Sequence, residues 1–195
     1  MKKNNPFKLI YWPILTTRAK YLANLISSDV EPLKKGLDVG AGNMLVSKYI
    51  TKNIDTKIEG IDVLDMNLTN LPHTIYDGKK LPFKNMTFDY SLLIGVLHHI
   101  SDQDDVLKET KRVTKKRIII FEDTYKNNLE KQWVKIRDIL GNIPEELGMN
   151  FALSFHSENE WEAKFKSLGL KIINKRTFFN WLRLTHHTLY VLEVN

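Results

Sequence analysis

The sequence predicts a doubly wound α/β fold: a seven-stranded sheet, mostly parallel with an antiparallel C-terminal strand, between two helical layers. Three observations predict it. Short apolar runs alternate along the chain with segments of helical period, the signature of strands joined by crossover helices. One of these runs, Leu37-Asp38-Val39, ends directly in Gly40-Ala41-Gly42-Asn43, an acid followed by two glycines one residue apart. Another, Phe88 to Ile94, is apolar nearly throughout, as a parallel strand covered on both faces must be.

Taken in order, Leu15, Ala19, Leu22 and Ile26 recur at helical spacing over residues 15–27, with Thr16 or Thr17 as an expected cap. A breaker segment from Asp29 to Pro32 leads into the first strand, Gly36 to Val39. Leu45, Tyr49 and Ile50 mark a short helix, and Ile58-Glu59-Gly60-Ile61-Asp62 is the second strand. A third, weaker strand is expected from Thr74 to Tyr76, then a bend at Leu81-Pro82-Phe83 and the fourth strand to Ile94. Ser101-Asp102-Gln103-Asp104 reads as a capping box opening a helix whose buried stripe is Val106, Leu107 and Val113. The basic residues from Lys111 to Arg117 suit that helix's negative pole, and Arg117 to Phe121 is the fifth strand. Beyond it, Leu129, Trp133, Ile136 and Leu140 form an amphipathic helix stopped by Gly141 and Pro144, followed by a looser aromatic segment, Phe151 to His156. Ser157-Glu158-Asn159-Glu160 caps a helix carrying Trp161, Phe165 and Leu168 and closed by Gly169. Two strand-like runs, Lys171 to Thr177 and Leu189 to Val194, are close enough in sequence to pair antiparallel.

Composition narrows the chemistry. The 195 residues suit one domain with a sizeable core. Cysteine is absent, which excludes disulfides, cysteine-based zinc or iron–sulfur sites and a thiol nucleophile. The net charge of +6 permits attraction to nucleic acid or anionic surfaces, but Lys34-Lys35, Lys79-Lys80 and Lys115-Lys116-Arg117 are scattered pairs and triplets without interleaved aromatics. A solvated basic surface is the simpler reading. The apolar stretch Phe7 to Trp12 is cut by Lys8 and stopped by Pro13, too short for a signal peptide core, and no run is long enough to span a membrane. A soluble, cytoplasmic protein is expected.

Gly40 and Gly42 allow a sharp turn and a close backbone approach to a ligand, beside the free N–H groups of a helix start. A dinucleotide fingerprint would need a third glycine where Leu45 stands, and no phosphate-binding G-x-x-x-x-G-K-[ST] string occurs. Asp38, two residues before the first glycine, would repel a pyrophosphate and favour a ligand bearing an ammonium group, as S-adenosylmethionine does. Asp62, some twenty residues on, is placed to accept both hydroxyls of a ribose. Each of these residues also has a plain structural role open to it: Asp38 as a turn or helix cap, the glycines as an ordinary loop.

Four segments in this order carry a family resemblance: Leu37-Asp38-Val39-Gly40-Ala41-Gly42, Gly60-Ile61-Asp62-Val63, Asp77-Gly78-Lys79-Lys80-Leu81-Pro82-Phe83, and Phe88-Asp89 through Val96-Leu97-His98-His99-Ile100. Over residues 36 to about 122 the chain resembles a class I S-adenosylmethionine-dependent methyltransferase of the methyltransferase type 11 group. The resemblance implies a Rossmann-like sheet and S-adenosylmethionine as cofactor. It implies that Asp38, Gly40, Ala41 and Gly42 surround the methionine part, Asp62 binds the ribose, and Asp77 accepts the adenine amino group. Val63 and Gly78 would flank the adenine, with Ile94 and Gly95 beside the sulfonium. It divides the single domain 1–195 into N-terminal cap helices (1–35), a cofactor-binding core (36–124), a substrate-side insertion (125–156) and a C-terminal helix with strands (157–195). Met44 departs from the family pattern, where a further glycine is frequent, and Thr114-Lys115-Lys116-Arg117 replaces a common Pro-Gly-Gly, expected here to be a surface turn.

Methyl transfer from such a cofactor is an in-line displacement that needs alignment first and a base only when the acceptor must lose a proton. His98 and His99, just past the fourth strand, are the candidate bases, and the alternative is that this pair only shapes the entry to the next helix. His156, Tyr11 and Tyr125 are candidates for lining a substrate pocket. His98-His99 and His186-His187 are adjacent pairs rather than i, i+4 pairs, so no metal site is expected. No Asp-Pro-Pro-Tyr or Asn-Pro-Pro-Tyr follows the fourth strand, which disfavours amide and base-amino methylation. The aromatic and aliphatic content of residues 7–27 and 125–156 points to a small-molecule acceptor. RNA or protein methylation, drawing on the positive charge, is the second reading, and a non-catalytic cofactor-binding module the third.

Overall fold

The computed structural model describes residues 7–142, 153–181 and 184–194. The chain runs α1 (Phe7–Ser27), β1 (Lys35–Val39), α2 (Leu45–Asn53), β2 (Lys57–Asp62), β3 (His73–Ile75), β4 (Phe88–Ile94), a 3-10 turn (Leu97–His99), α3 (Gln103–Val113), β5 (Thr114–Thr124), α4 (Asn128–Asn142), α5 (Glu158–Ser167), β6 (Leu170–Asn180) and β7 (Thr185–Val194). One seven-stranded sheet has the order β3-β2-β1-β4-β5-β7-β6. β1 to β5 pair in parallel, and β7 lies antiparallel between β5 and β6. The strand order therefore reverses between β1 and β4, and the crevice outside the carboxyl ends of those two strands is where open α/β sheets bind ligands.

Alternation along the strands produces two cores. In β5, Ile118 and Ile120 face α3 and α5, where they join Val106, Leu107, Trp161 and Phe165. Ile119 and Phe121 face the other way, with Leu22, Ala23 and Ile26 of α1 and Ile50 of α2. Tyr190 and Leu192 of β7 divide from Leu189 and Val191 in the same manner. Each fully buried side chain of leucine, isoleucine or phenylalanine size stabilises the fold by about 1.5–3 kcal/mol, so the two layers hold the sheet's site-bearing edge from both sides.

Several elements differ from expectation. α1 begins well before Thr16 and contains Pro13; the Thr16 hydroxyl donates back to the Trp12 carbonyl at 2.8 Å inside the helix and caps nothing. β3 starts at His73, one residue early. The capping box at 101–104 does not form: Asp102 is the N-cap without a side-chain bond to the helix, and its carboxylate takes the Ser101 hydroxyl instead. Gln103 is buried there, its amide donating to the carbonyls of Leu97 (2.9 Å) and Ser154 (3.0 Å). The box at Ser157 and Glu160 does form. Residues 114–117 are not a surface turn. α3 passes straight into β5 because the Thr114 hydroxyl is held by the Thr110 carbonyl (2.6 Å) and the Ser91 hydroxyl (2.6 Å). Of the expected aromatic segment, Phe151 lies outside the described residues, as do Pro144 and the side chain of Leu140.

Candidate functional site

The loop after β1 is strapped to β2. The N–H groups of Gly40 and Ala41 both donate to the Ile61 carbonyl, at 2.9 and 3.2 Å. Gly40 has φ +67°, and a Cβ there would lie 2.1 Å from Cγ2 of Val96, so glycine is required by both backbone and space. Gly42, at φ +51°, donates its N–H to Oδ2 of Asp62 at 2.8 Å, and a Cβ on it would meet nothing within 4 Å. The loop thus faces open room on its outer side. Met44, the departure from the family pattern, sits at φ 58° as the residue before α2. Its side chain is buried and fills the space beside Gly60, whose absent Cβ would fall 2.5 Å from Cε of Met44. A glycine would relax the backbone at Met44; methionine accepts the strain and gains packing.

Asp38 was expected as an open charge at the strand mouth. The alternation of β1 instead turns it toward α2, where it is only 3% exposed and accepts the Ser47 hydroxyl at 2.6 Å. Burial raises its carboxyl to about 7, against the lowering effect of Ser47 and with a further rise from the charge of Asp62. At neutral pH it is therefore only partly ionised.

Asp62 closes β2. It is buried, with Oδ2 on the Gly42 N–H and Oδ1 on the Leu64 N–H at 3.1 Å. A carboxylate has about four acceptor positions, so both oxygens keep capacity for hydroxyl donors. β3 pairs alongside with Asp62 opposite Ile75, and the Tyr76 N–H donates to the Asp62 carbonyl at 3.0 Å. That pairing brings Asp77 and Gly78 to the same end. Asp77 is exposed, with Oδ1 on the Lys79 N–H at 3.0 Å. Gly78 takes φ +79°, and a Cβ on it would sit 3.2 Å from Cγ1 of Val63, itself 47% exposed. Asp62, Val63, Asp77 and Gly78 are therefore one cluster with an accessible apolar surface.

At the end of β4, Ile94 is half-buried and Gly95 turns at φ +63°, its N–H on the Phe121 carbonyl at 2.7 Å. The atoms nearest to a Cβ on Gly95 would be Nη2 of Arg18 and Cε1 of His98, at 3.7 and 4.0 Å. His98 and His99 differ sharply. His98 is buried, with Nδ1 2.5 Å from Oε2 of Glu122 and Nε2 3.6 Å from Oδ1 of Asp138. Burial alone would lower its pKa, but Glu122 and Asp138 outweigh burial and raise it to about 10. Glu122 also accepts the N–H groups of Val96 (2.9 Å) and Leu97 (2.7 Å), which fixes the turn after β4. His99 is half-buried, and burial, then the charge of His98, lower it to about 4. His99 is the neutral imidazole of the pair at pH 7.

Among the described residues, His98, His99 and Asp138 bring potential metal-ligating atoms within 4.8 Å of one another. Both nitrogens of His98 already face carboxylates, so a proton satisfies this cluster electrostatically. The other candidates are engaged in the fold. The Tyr125 hydroxyl donates to Glu160 at 2.7 Å, and Nε2 of His156 lies 2.8 Å from Oε1 of Gln103. The side chain of Tyr11 lies outside the described residues. Sequence reasoning missed Glu122 and Asp138. Glu122 was findable as an acid at the carboxyl end of an apolar strand; Asp138 arrives from α4 and carries no local signal.

Residues 37–121 match the family described as "Methyltransferase domain". Among curated proteins, the chain is 30% identical over 184 residues to an alanine racemase of Fusobacterium nucleatum, covering 82% of this chain and 48% of that protein. It is 33% identical over 115 residues to a tRNA (carboxymethyluridine(34)-5-O)-methyltransferase of Saccharomyces cerevisiae, covering 54% of this chain and 36% of that one. It is 33% identical over 102 residues to a demethylmenaquinone methyltransferase of Streptomyces griseus, covering 48% and 44%. The chain thus spans less than half the length of each of these relatives. Among solved structures, the complex of the Haloferax volcanii Trm112 methyltransferase activator with its methyltransferase matches with TM-score 0.71 and 14% identity, covering 92% of both chains. A geranyl diphosphate methyltransferase solved in complex with SAM also matches, with TM-score 0.68 and 13% identity, covering 92% of this chain and 85% of that one. With a matching segment that runs from the glycine loop to the end of β5, on a sheet of this order, the chain is similar to methyltransferases over that part of its length and shares their fold.

Proposed function

We propose that this protein methylates a small, largely apolar molecule. The observation that carries the reading is the convergence, at one end of the sheet, of the Gly40–Gly42 loop, Asp62, the Val63–Gly78 surface and Gly95. In this reading Asp62 accepts the ribose hydroxyls, and Val63 with Gly78 packs against the adenine while Asp77 accepts its amino group. Asp38, Gly40, Ala41 and Gly42 surround the amino-acid end, and Ile94 and Gly95 adjoin the sulfonium. Bound there, the cofactor supplies a methyl group already activated on sulfur, so the protein's work is alignment and exclusion of water. His98, buried and protonated, positions the turn. His99, neutral and half-buried, is the candidate group to take a proton, and its lowered pKa restricts that role to an acceptor whose proton is already acidic.

The small-molecule reading is supported by what lies over this end: Phe155 stacks on His98 with ring centroids 4.6 Å apart and packs with Tyr125 and Val134 in a separate apolar cluster. RNA methylation has weaker support. A surface groove lined by Lys108, Lys111, Arg112 and Lys115 lies at the opposite, amino-terminal end of β5. Those cations are engaged with Asp105, the Leu168 and Gly169 carbonyls, Glu109 and Asp89. The test is cofactor binding followed by turnover. S-adenosylhomocysteine should raise the melting temperature, and apolar hydroxyl- or amine-bearing acceptors should release it from S-adenosylmethionine. RNA affinity that falls steeply between about 50 and 200 mM salt, with methyl incorporated into RNA, would overturn the small-molecule assignment.

A further inference from the structure

We propose that the outer face of α4 docks this protein on the surface of an anionic phospholipid bilayer. Leu129, Trp133 and Ile136 give α4 an apolar stripe of the kind that a helix in a globular domain buries against its sheet. The structure turns the helix the other way. Leu129 is 85% exposed, and Trp133, Ile136 and Ile139 lie exposed along the same side. The charged residues face inward instead: Glu130 pairs with His186 of β7, Arg137 with Asp123 of β5, and Asp138 with His98 at 3.6 Å. Among the described side chains of α4, Val134 alone is both apolar and buried.

The apolar surface continues beyond the helix. His186, held by Glu130, lies against the ring of Phe179 with centroids 4.8 Å apart, and Phe179 packs edge-on to Trp181, which is 80% exposed just past β6. A contiguous exposed patch of this kind marks a surface that another body covers. Charge decides which body. Both acids of α4, Glu130 and Asp138, point inward onto histidines. Lys126, exposed two residues before the helix, and Lys135, beside Ile136 on it, form no ion pair among the described residues. Aliphatic and tryptophan side chains edged by unpaired lysines, on a chain of net charge +6, complement a negatively charged headgroup layer. A second copy meeting this face across a two-fold axis would set the same lysines against each other. Among the described residues no helix is long and apolar enough to cross a membrane, so the contact is with the surface alone. Because Asp138 of α4 reaches His98, the docked face adjoins the carboxyl end of the sheet.

The experiment is vesicle flotation of the full chain, without cofactor or acceptor, so that its outcome is separate from the methylation reading above. Vesicles of phosphatidylcholine alone are compared with vesicles of phosphatidylcholine and phosphatidylglycerol. Wild type is expected to float with the anionic vesicles, and less so as salt is raised. Leu129→Ser/Ile136→Ser should weaken that partition by at least about tenfold, since both side chains lose their apolar burial in lipid. Lys126→Gln/Lys135→Gln should weaken it roughly tenfold to thirtyfold on anionic vesicles and leave neutral vesicles unchanged. Lys52→Gln/Lys57→Gln, which removes the same charge from α2 and the start of β2, should stay within about twofold of wild type, because attraction to the headgroups fades within a Debye length. Unfolding midpoints without vesicles check that each variant is folded, as the exposure of the substituted side chains leads one to expect. The assignment is overturned if wild type does not float with anionic vesicles, if the α4 variants float as wild type does, or if the control pair loses as much. It is also overturned if wild type sediments as a dimer that Leu129→Ser/Ile136→Ser converts to a monomer, for then a second copy covers the face.

Discussion

Replacing Asp38 with asparagine should stabilise the cofactor-free protein while weakening the cofactor. The carboxyl is buried and raised to about 7, against an ordinary value near 3.9 in the unfolded chain. Between these values the folded state keeps a proton that the unfolded state has lost. Stability therefore falls as pH rises through the window from about 4 to about 7 and is level above it. At about 1.4 kcal/mol per pH unit, the cost of holding Asp38 reaches at most about 4 kcal/mol above pH 7, of which about 2–3 kcal/mol accrues between pH 5 and pH 8. An asparagine can still accept the Ser47 hydroxyl but has no charge to desolvate. Denaturant unfolding of wild type and Asp38→Asn at pH 5 and pH 8 reads this directly: the variant's advantage should grow with pH by about that amount. Calorimetry at pH 7 should show weaker S-adenosylmethionine binding by the variant, because a cationic ligand is what draws the proton from Asp38. A stability difference that does not change between pH 5 and pH 8 would refute the buried, partly neutral Asp38 on which this reasoning stands.

The remaining expectations concern the same edge of the sheet. Asp62→Ala removes the acceptor of the Gly42 and Leu64 N–H groups and should abolish most of the melting-temperature gain given by S-adenosylhomocysteine; an unchanged gain would contradict the ribose role. Gly40→Ala places a Cβ against Val96 at positive φ and should cost at least about 2 kcal/mol in denaturant unfolding, with Gly40→Ala/Val96→Ala recovering the steric part but not the backbone part. Met44→Gly relieves a left-handed residue worth about 1–2 kcal/mol and deletes a buried side chain worth about 2–5, so net destabilisation of about 1–3 kcal/mol is expected, and a stabilised variant would show the packing beside Gly60 to be unimportant. Glu122→Gln leaves His98 without its nearest counter-charge and should cost about 3–5 kcal/mol near neutral pH. The sign follows from the raised pKa: the His98 contribution is complete below about pH 6.5 and is lost as pH rises through about 10, so in wild type nitrogen-15 shifts of its ring should report an imidazolium at pH 8.

How far the sequence reaches depends on whether a property is local. Order and alternation are local. The apolar runs ending at Val39, Asp62 and Ile94 give the strands, their period of two gives two packed faces, and glycines beside acids mark the edge where a ligand sits. The resemblance to methyltransferases followed from four such segments in order, and the box at Ser157–Glu160 from its own spacing. Neighbourhood across the fold is not local. Whether Asp38 faces solvent or Ser47 depends on which layer covers its face of β1. The capping string at Ser101 lost to tertiary contacts that bury Gln103, and the Lys115–Arg117 run joined β5 because Thr114 could bond Ser91 on the adjoining strand. The two adjacent histidines are identical in sequence terms; Glu122 and Asp138, 24 and 40 residues from His98, make one an imidazolium and the other neutral. Long-range packing decides such matters because desolvation and charge act over a few ångströms of space, whatever the separation along the chain.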